Sequence, residues 1–197
     1  MDSELIIALG TLVATIILGI LAQILPWYRS PQLEVDFKNR EPFCQHYPPG
    51  YWMRLEVRNK GQKTAHHVTG SLIEIRRADY TLLPLRSFFD LNWCVAEEPV
   101  PVSLRPSEKS FLDLVVIRED DPDTLRVQTS IPAQQRQSSL PCDTYFFRVE
   151  VYAEDAKPAK ALYHVTWPVA GMDQVRMRRI RGIERALLRL GLHPLRK

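Results

Sequence analysis

The sequence of 197 residues lacks the short motifs that carry most enzyme chemistry. It contains no GxSxG nucleophile turn, no HExxH zinc helix, no pair of CxxC knuckles, and neither a P-loop nor a GxGxxG phosphate loop. No Ser, Thr or Cys stands with a His and a carboxylate at a spacing that favours one particular trio. We therefore expect no catalytic residue and no cofactor, and we rank an enzyme with an unrecognised site third among the functional classes.

Cysteine is also scarce, and this bears on the compartment of the protein. Cys44, Cys94 and Cys142 lie far apart, and an odd number cannot all pair within one molecule. We expect reduced thiols that serve mainly as small buried apolar residues, as in a reducing compartment. One disulfide plus a free thiol is the alternative if the domain is exported.

Patterns that bind metal ions are missing as well. His66 and His67 are neighbours in a predicted strand, so we expect them to point to opposite faces and not to share one ion. The acidic run at residues 119–123 lacks the central Gly and the distal Glu of a calcium-binding loop. We predict a solvated loop there and no metal site in the chain.

Charge is absent from residues 5–25, a run of 21 residues. A helix of that length extends about 30 Å, which matches the hydrocarbon core of a bilayer. The leader at residues 1–4 has no basic residue, and the run ends in LPWY without a small-x-small cleavage site, so a signal peptide is not favoured. We predict a single transmembrane helix over residues 5–25.

The end of this run carries signals of a membrane interface. Pro26 closes the helix, and the rings of Trp27 and Tyr28 would lie at the headgroup level within an interfacial linker at residues 26–32. Basic residues follow the run within fifteen positions, whereas none precedes it: Arg29, Lys38 and Arg40. The positive-inside rule then predicts an N-terminus outside and a soluble domain in the cytoplasm.

One face of the predicted span carries small and polar residues at a spacing of four, namely Thr11, Thr15, Gly19 and Gln23. Small residues at such spacing let helices approach closely, and a Gln in an apolar zone prefers a hydrogen-bonding partner. This pattern suggests self-association or docking on another membrane protein. The alternative is a lone anchor that merely tolerates these residues.

After residue 33, short apolar runs recur about every ten residues between Pro, Gly, Asn and Asp, which is typical of strands and turns. The candidate strands are LEVDF, YWMRLEVRN, HHVTGSLIEIR, FFDLNWCV, FLDLVVIRE, LRVQTSI, TYFFRVEVYAED and ALYHVTWPVA. The alternation in TYFFRVEVYAED places four residues on one face: Tyr145, Phe147, Val149 and Val151. We predict a mainly β domain over residues 33–170, an antiparallel sandwich of two sheets, with Trp52, Trp93 and Trp167 in its core; a surface aromatic patch is the alternative.

The most specific local pattern is RLEVRNKGQKTAHHVTGSL, in which we expect Gly61 to supply a positive φ and Asn59 to cap the turn. With SLRPSEKSFLDLVV and TYFFRVEVYAED, it resembles the immunoglobulin-like sandwiches of the cell-adhesion-related (CARDB-like) type in prokaryotic proteins, over about residues 50–155. Ser107 stands where those domains usually have Gly. The resemblance implies an immunoglobulin-like fold that binds or spaces and rarely catalyses.

The last segment is strongly basic, since residues 172–197 carry a net charge of +6 while the rest of the chain is net negative. Residues 172–191 predict an amphipathic helix, followed by a short tail at residues 192–197. Its apolar arc would hold Met177, Ile180, Ile183, Leu187 and Leu190, opposite Arg178, Arg181, Arg185 and Arg189. The helix could pack on the sandwich, lie on an anionic inner leaflet, or bind a partner protein or RNA; the charge of the whole molecule does not favour nucleic acid.

Together these patterns predict a membrane-anchored binding or scaffold protein without catalytic activity of its own, whose partners are the bilayer and a protein or a second copy. The alternative is an exported, membrane-tethered binding domain of opposite topology, which would have a disulfide.

Overall fold

The computed structural model describes residues 3–83, 89–94, 100–128, 139–168, 171, 174–182, 184 and 186. It begins with one helix, α1, at Ser3–Arg29, so the prediction that Pro26 closes the helix is wrong: a Pro removes one N–H from a helix without having to end it. The side chains of α1 are described at Ser3, Ile7 and residues 9–23. All of these side chains are exposed, and none belongs to the hydrophobic core. Within the described residues, no helix combines the length and the apolar character that a membrane crossing requires.

Strands make up most of the rest of the described chain. They are β1 Leu33–Asp36, β2 Cys44–Tyr47, β3 Gly50–Asn59, β4 Ala65–Arg77, β5 Phe89–Asp90, β6 Asn92–Trp93, β7 Val102–Leu104, β8 Lys109–Arg118, β9 Asp121–Val127, β10 Ser139–Pro141, β11 Thr144–Ala153, β12 Ala156–Thr166 and β13 Arg176–Ile180. The prediction of a mainly β domain is confirmed, and the sandwich continues past residue 170 to include β13.

The strands form two antiparallel sheets that face each other. The first sheet has the order β1-β3-β8-β9-β10, with β2 paired to β3 and β6 paired to β8. The second has the order β13-β12-β11-β4-β5, with β7 paired to β4. This is a two-sheet sandwich, as the spacing of the apolar runs predicts, and it is compatible with an immunoglobulin-like fold.

The core follows from alternation along the longest strands. In β11, Tyr145, Phe147, Val149 and Val151 are at most 2% exposed, as predicted. Each such side chain contributes about 1.5–3 kcal/mol when it leaves water. The core therefore holds the two sheets together and leaves the loops at either end free to carry function.

The end of the sandwich that receives α1 is organised around one buried side chain, Asn59. Its Oδ1 accepts hydrogen bonds from the backbone N–H groups of Gly61 (2.9 Å) and Gln32 (3.1 Å), and its Nδ2 donates to the carbonyls of Lys63 (2.7 Å) and Leu104 (2.9 Å). The predicted cap by Asn59 is confirmed. We call this end, with loops 60–64 and 105–108, the helix-proximal end, and the opposite end the distal end.

The predicted positive φ at Gly61 is wrong. Its backbone does not adopt a positive φ. Instead, a Cβ at this position would lie 2.3 Å from the carbonyl oxygen of Ser30 and 2.6 Å from the backbone nitrogen of Gln32. Glycine is required because the chain leaving α1 crosses directly over this loop.

The predicted helix over residues 172–191 is wrong for its first part, because Arg176–Ile180 forms β13 on the free edge of β12. Met177 and Ile180 do not share one apolar arc. Met177 joins the core between the sheets, whereas Ile180 joins a small cluster with Phe146 and Leu162 on the other face of the second sheet. The open edge of β12 offers backbone hydrogen bonds that outweigh the helical pattern. Beyond Arg181 the structure describes only Gly182, Glu184 and Ala186, which are helical, and the other residues of the predicted helix lie outside the described residues.

Candidate partner-binding surface

A groove lies at the distal end of the first sheet, on the face that points away from the core. It encloses about 240 Å³. Its lining consists of Pro49, Trp52, Val116, Arg118, Arg126, Val127 and Gln128. Pockets for drug-sized ligands typically enclose roughly 300–1,000 Å³, so this groove has room for one or two side chains of a partner. We call it the distal groove.

Trp52 forms one wall of the distal groove, which corrects its predicted place in the core. Met53, Leu55 and Val57 take the inward positions of β3, so the alternation turns Trp52 outward, where it is half-buried. Its Nε1 donates to the carbonyl of Tyr47 at 2.9 Å, across the hairpin of β2 and β3. Trp93 and Trp167 are buried in the core as predicted. The alternative reading, a surface aromatic, therefore holds for Trp52.

Two arginines form the polar side of the distal groove, and both are held by acids of the run at residues 119–123. Arg118 donates to both carboxylate oxygens of Asp120 at 2.8 and 3.1 Å, and Arg126 donates to Asp121 at 2.7 Å. These bonds hold the pKa values of both carboxyl groups below their usual range. The run orients both guanidinium groups. Its first two residues, Glu119 and Asp120, form the turn between β8 and β9, as predicted, but residues 121–123 are the first residues of β9, so the prediction of a loop over the whole run is wrong for that part.

An ion pair, Arg54–Asp113, lies next to Trp52 on the same face of the first sheet. Arg54 follows Trp52 by two positions on the same face, and its guanidinium lies 5.8 Å from the centre of the Trp52 ring. Its Nε donates to Asp113 at 2.8 Å, and both side chains are only 13% exposed. Burial raises the pKa of the Asp113 carboxyl, and the bond to Arg54 offsets part of that effect. The pair therefore links β3 to β8 on the outward face of the sheet, next to Trp52.

The thiols and histidines show no arrangement that activates them. Burial raises the pKa of each cysteine thiol, with the carboxylate of Asp113 adding to the effect at Cys94, so these thiols are poor nucleophiles at neutral pH. Of the three free cysteines only Cys44 is buried, whereas Cys94 is exposed and Cys142 is half-buried. In the described part of the chain, no three His, Cys, Asp or Glu side chains are placed to hold a metal ion.

The two neighbouring histidines, His66 and His67, lie in an irregular part of β4. The register of β4 shifts between Ala65 and Val68, and His67 has φ of 50°. Both His66 and His67 are exposed. The Nδ1 of His67 lies 2.8 Å from the carboxylate of Glu154.

The predicted helix-association face lies on the exposed surface of α1. Thr11, Thr15, Gly19 and Gln23 are all exposed on α1. The hydroxyls of Thr11 and Thr15 donate to the carbonyls four residues earlier, at 2.9 and 2.8 Å, so they are already satisfied within the helix. The side chains of Trp27 and Tyr28 lie outside the described residues.

The predicted basic contacts divide into two groups. Arg178, on β13, donates to Glu184 at 2.9 Å, and Arg181 lies 3.3 Å from Asp36 of β1. Both therefore have partners on the domain itself. Arg185 and Arg189 lie outside the described residues.

No protein-family model matches the chain, and no curated protein matches it.

Proposed function

We propose that this protein is a membrane-anchored binding module, in which α1 holds the sandwich to a bilayer and the distal groove receives a segment of a partner protein. The observation that carries the anchor is the apolar surface of α1. Its described large hydrophobic side chains are 49–68% exposed, among them Ile7, Leu9 and Leu18. A continuous apolar surface of this kind marks contact with lipid or with another protein.

The sequence supports lipid as the main contact. The uncharged run at residues 5–25 is long enough to cross the hydrocarbon core, and it extends on both sides of residues 9–23, the continuous part of α1 whose side chains are described. The row of Thr11, Thr15, Gly19 and Gln23 adds a surface for a second helix, since small residues permit close approach. A homodimer through this row is part of the proposal.

The orientation that we propose places the sandwich in the cytoplasm. The basic residues near the span lie on its C-terminal side, and three free thiols are typical of a reducing compartment. An impermeant thiol reagent added to intact cells should then leave Cys94 unlabelled until the membrane is opened, with Cys94→Ser as the background control. Labelling of Cys94 from outside would favour the exported binding domain of opposite topology.

The distal groove supports a binding role. Trp, Tyr and Arg are the residues that most often anchor protein interfaces, and Trp52, Tyr47 and Arg118 are gathered at one end of the sheet. Tyr47 is 61% exposed. The groove lies at the opposite end of the sandwich from α1, so it faces away from the anchored end. We also propose, as the finer description of the fold, an immunoglobulin-like sandwich of the cell-adhesion-related type, whose members bind or space.

A photo-crosslinking residue at Tyr47 in the full chain, expressed in its native membranes, tests the binding role. We expect a discrete adduct with another protein that disappears in a Trp52→Ala variant. The same photo-crosslinker at Lys160, on the second sheet, is the matched control. Identical adducts from both positions, or an adduct at Tyr47 that survives Trp52→Ala, would contradict a partner site at the distal groove.

A further inference from the structure

The chain leaving α1 is fastened to the sandwich within three residues. The backbone N–H of Lys60 donates to the carbonyl of Gln32 at 2.7 Å, and that of Gln32 donates to Asn59 at 3.1 Å. Gly61 leaves no room for a side chain beneath Ser30. Loop 60–64 is therefore held directly against the exit of the helix.

A second loop is fixed beside the first. The amide of Asn59 donates to the carbonyls of Lys63 and Leu104, and the backbone N–H of Ser107 donates to the carbonyl of Asn59 at 2.8 Å. Loops 60–64 and 105–108 thus form one surface at the helix-proximal end. We call it the helix-proximal face.

Two cations on this face have no carboxylate partner within the described residues. Lys60 pairs with Glu34 at 2.7 Å and Lys109 pairs with Glu56 at 3.2 Å. Lys63 and Arg105, by contrast, are exposed, and the carboxylate of nearby Glu108 accepts the backbone N–H of Arg105 at 2.7 Å. Their charge is directed to solvent next to the exit of α1.

We propose that Lys63 and Arg105 bind the headgroups of anionic lipids and thereby hold the helix-proximal face on the bilayer surface. This inference rests on the proposed function, because it requires α1 in the membrane. Residues 30–32 can reach at most about 10 Å. Attraction between charges in physiological salt persists over about 8 Å, so a headgroup surface at the end of α1 lies within range of both cations. The sandwich then has a preferred orientation, with the distal groove turned away from lipid.

The acetylation rate of individual lysines in the full chain tests this contact. The chain is placed in nanodiscs of phosphatidylcholine alone or of phosphatidylcholine mixed with phosphatidylserine, and each lysine is followed by mass spectrometry. One basic residue near an anionic surface contributes about 1 kcal/mol, so Lys63 should be in contact with a headgroup, and hidden from the reagent, roughly five times as often as it is free. We therefore expect acetylation of Lys63 to slow roughly fivefold in the anionic discs and to recover in high salt. Lys38 lies just after the end of β1 that points away from α1, so it should react at the same rate in both kinds of disc.

Arg105→Gln should reduce the slowing at Lys63, whereas the matched change Arg40→Gln, in the turn before β2, should not. Equal rates for Lys63 in both kinds of disc, with the chain incorporated, would overturn the lipid contact and leave the anchor intact. Failure of the chain to enter nanodiscs at all would overturn both the anchor and this contact.

Discussion

The Arg54–Asp113 pair shows how one buried charge depends on another. Removal of one member of such a pair leaves an uncompensated charge and typically costs about 3–5 kcal/mol, whereas replacement of both by apolar residues is often neutral. We expect Arg54→Met to lower the free energy of unfolding by this amount, and Arg54→Met with Asp113→Leu to recover most of it. Urea unfolding of the full chain in detergent measures both.

The loss in Arg54→Met should depend on pH with a defined sign. Burial raises the pKa of Asp113 in the folded state above its ordinary value of 3.8, so the unfolded chain releases the proton first and stability falls as pH rises through that window. The penalty should therefore shrink as the carboxyl becomes protonated in acid. A penalty that is the same at acidic and neutral pH would contradict an unpaired carboxylate as its cause.

Ser107 occupies a backbone conformation that suits glycine, with φ of 65°. A side chain in this left-handed region costs about 1–2 kcal/mol, and part of any relief is lost because glycine makes the unfolded chain more flexible. We expect Ser107→Gly to raise the free energy of unfolding by up to about 1 kcal/mol. Ser110→Gly, within β8, should lower it. If both changes destabilise the domain alike, strain at Ser107 is not the reason.

β13 lies at the edge of the second sheet, and a side chain bonds to its outer backbone groups where another strand would otherwise pair. Asn39 donates from Nδ2 to the carbonyl of Met177 at 2.8 Å and accepts from its N–H at 3.0 Å. Sheet edges with free backbone groups invite pairing with other chains. The two bonds from Asn39 therefore keep β13 attached and its outer edge blocked.

Loss of this contact should be measurable at one amide. Asn39→Ala leaves two backbone groups without their partner, which costs about 1–2 kcal/mol, and we expect faster hydrogen exchange at the amide of Met177. Asn39→Asp keeps the acceptor and should preserve much of that protection. An unchanged exchange rate in Asn39→Ala would show that the side chain does not secure the strand.

The elements that the sequence predicts well are those whose pattern is local. The runs that become β3 and β11 alternate over many residues, so their periodicity indicates both the strand and its inward face. The runs that become β4, β8 and β12 are long and apolar between turn residues, which indicates a strand but not which face is inward. β2, β7 and β10 have three or four residues and no such pattern. The sequence predicts a helix where β13 forms, because periodicity within one segment carries no information on the open edge of the preceding strand β12.

The distal groove was predictable only in part for the same reason. A surface aromatic patch was the alternative for Trp52, and the strict alternation of MRLEV after it could have placed Trp52 outward. Its neighbours Val127 and Arg126 come from a different strand, so only the pairing of β8 with β9 brings them together. The role of Gly61 also needed the structure, because the linker that crosses it lies some thirty residues earlier in the chain.

At the scale of the whole molecule, the two ends of the sandwich have different surfaces. The helix-proximal end receives the apolar helix through a short linker and carries Lys63 and Arg105, which have no ion-pair partner among the described residues. The distal end carries the exposed Tyr47 and the half-buried Trp52, Arg118 and Arg126. The membrane-anchored binding module that we propose requires a membrane-spanning helix at one end and a partner-binding surface at the other. This arrangement depends on α1 lying in lipid.

Extraction of membranes with alkaline carbonate, followed by flotation of the full chain, tests that dependence most directly. We expect the native chain to float with the bilayer. A variant with Val13→Lys and Ile17→Lys should be released, because each Lys near the centre of a span costs about 2.5–3.5 kcal/mol, while Lys38→Gln should float like the native chain. Release of the native chain by carbonate, to the same extent as the double variant, would contradict the membrane anchor.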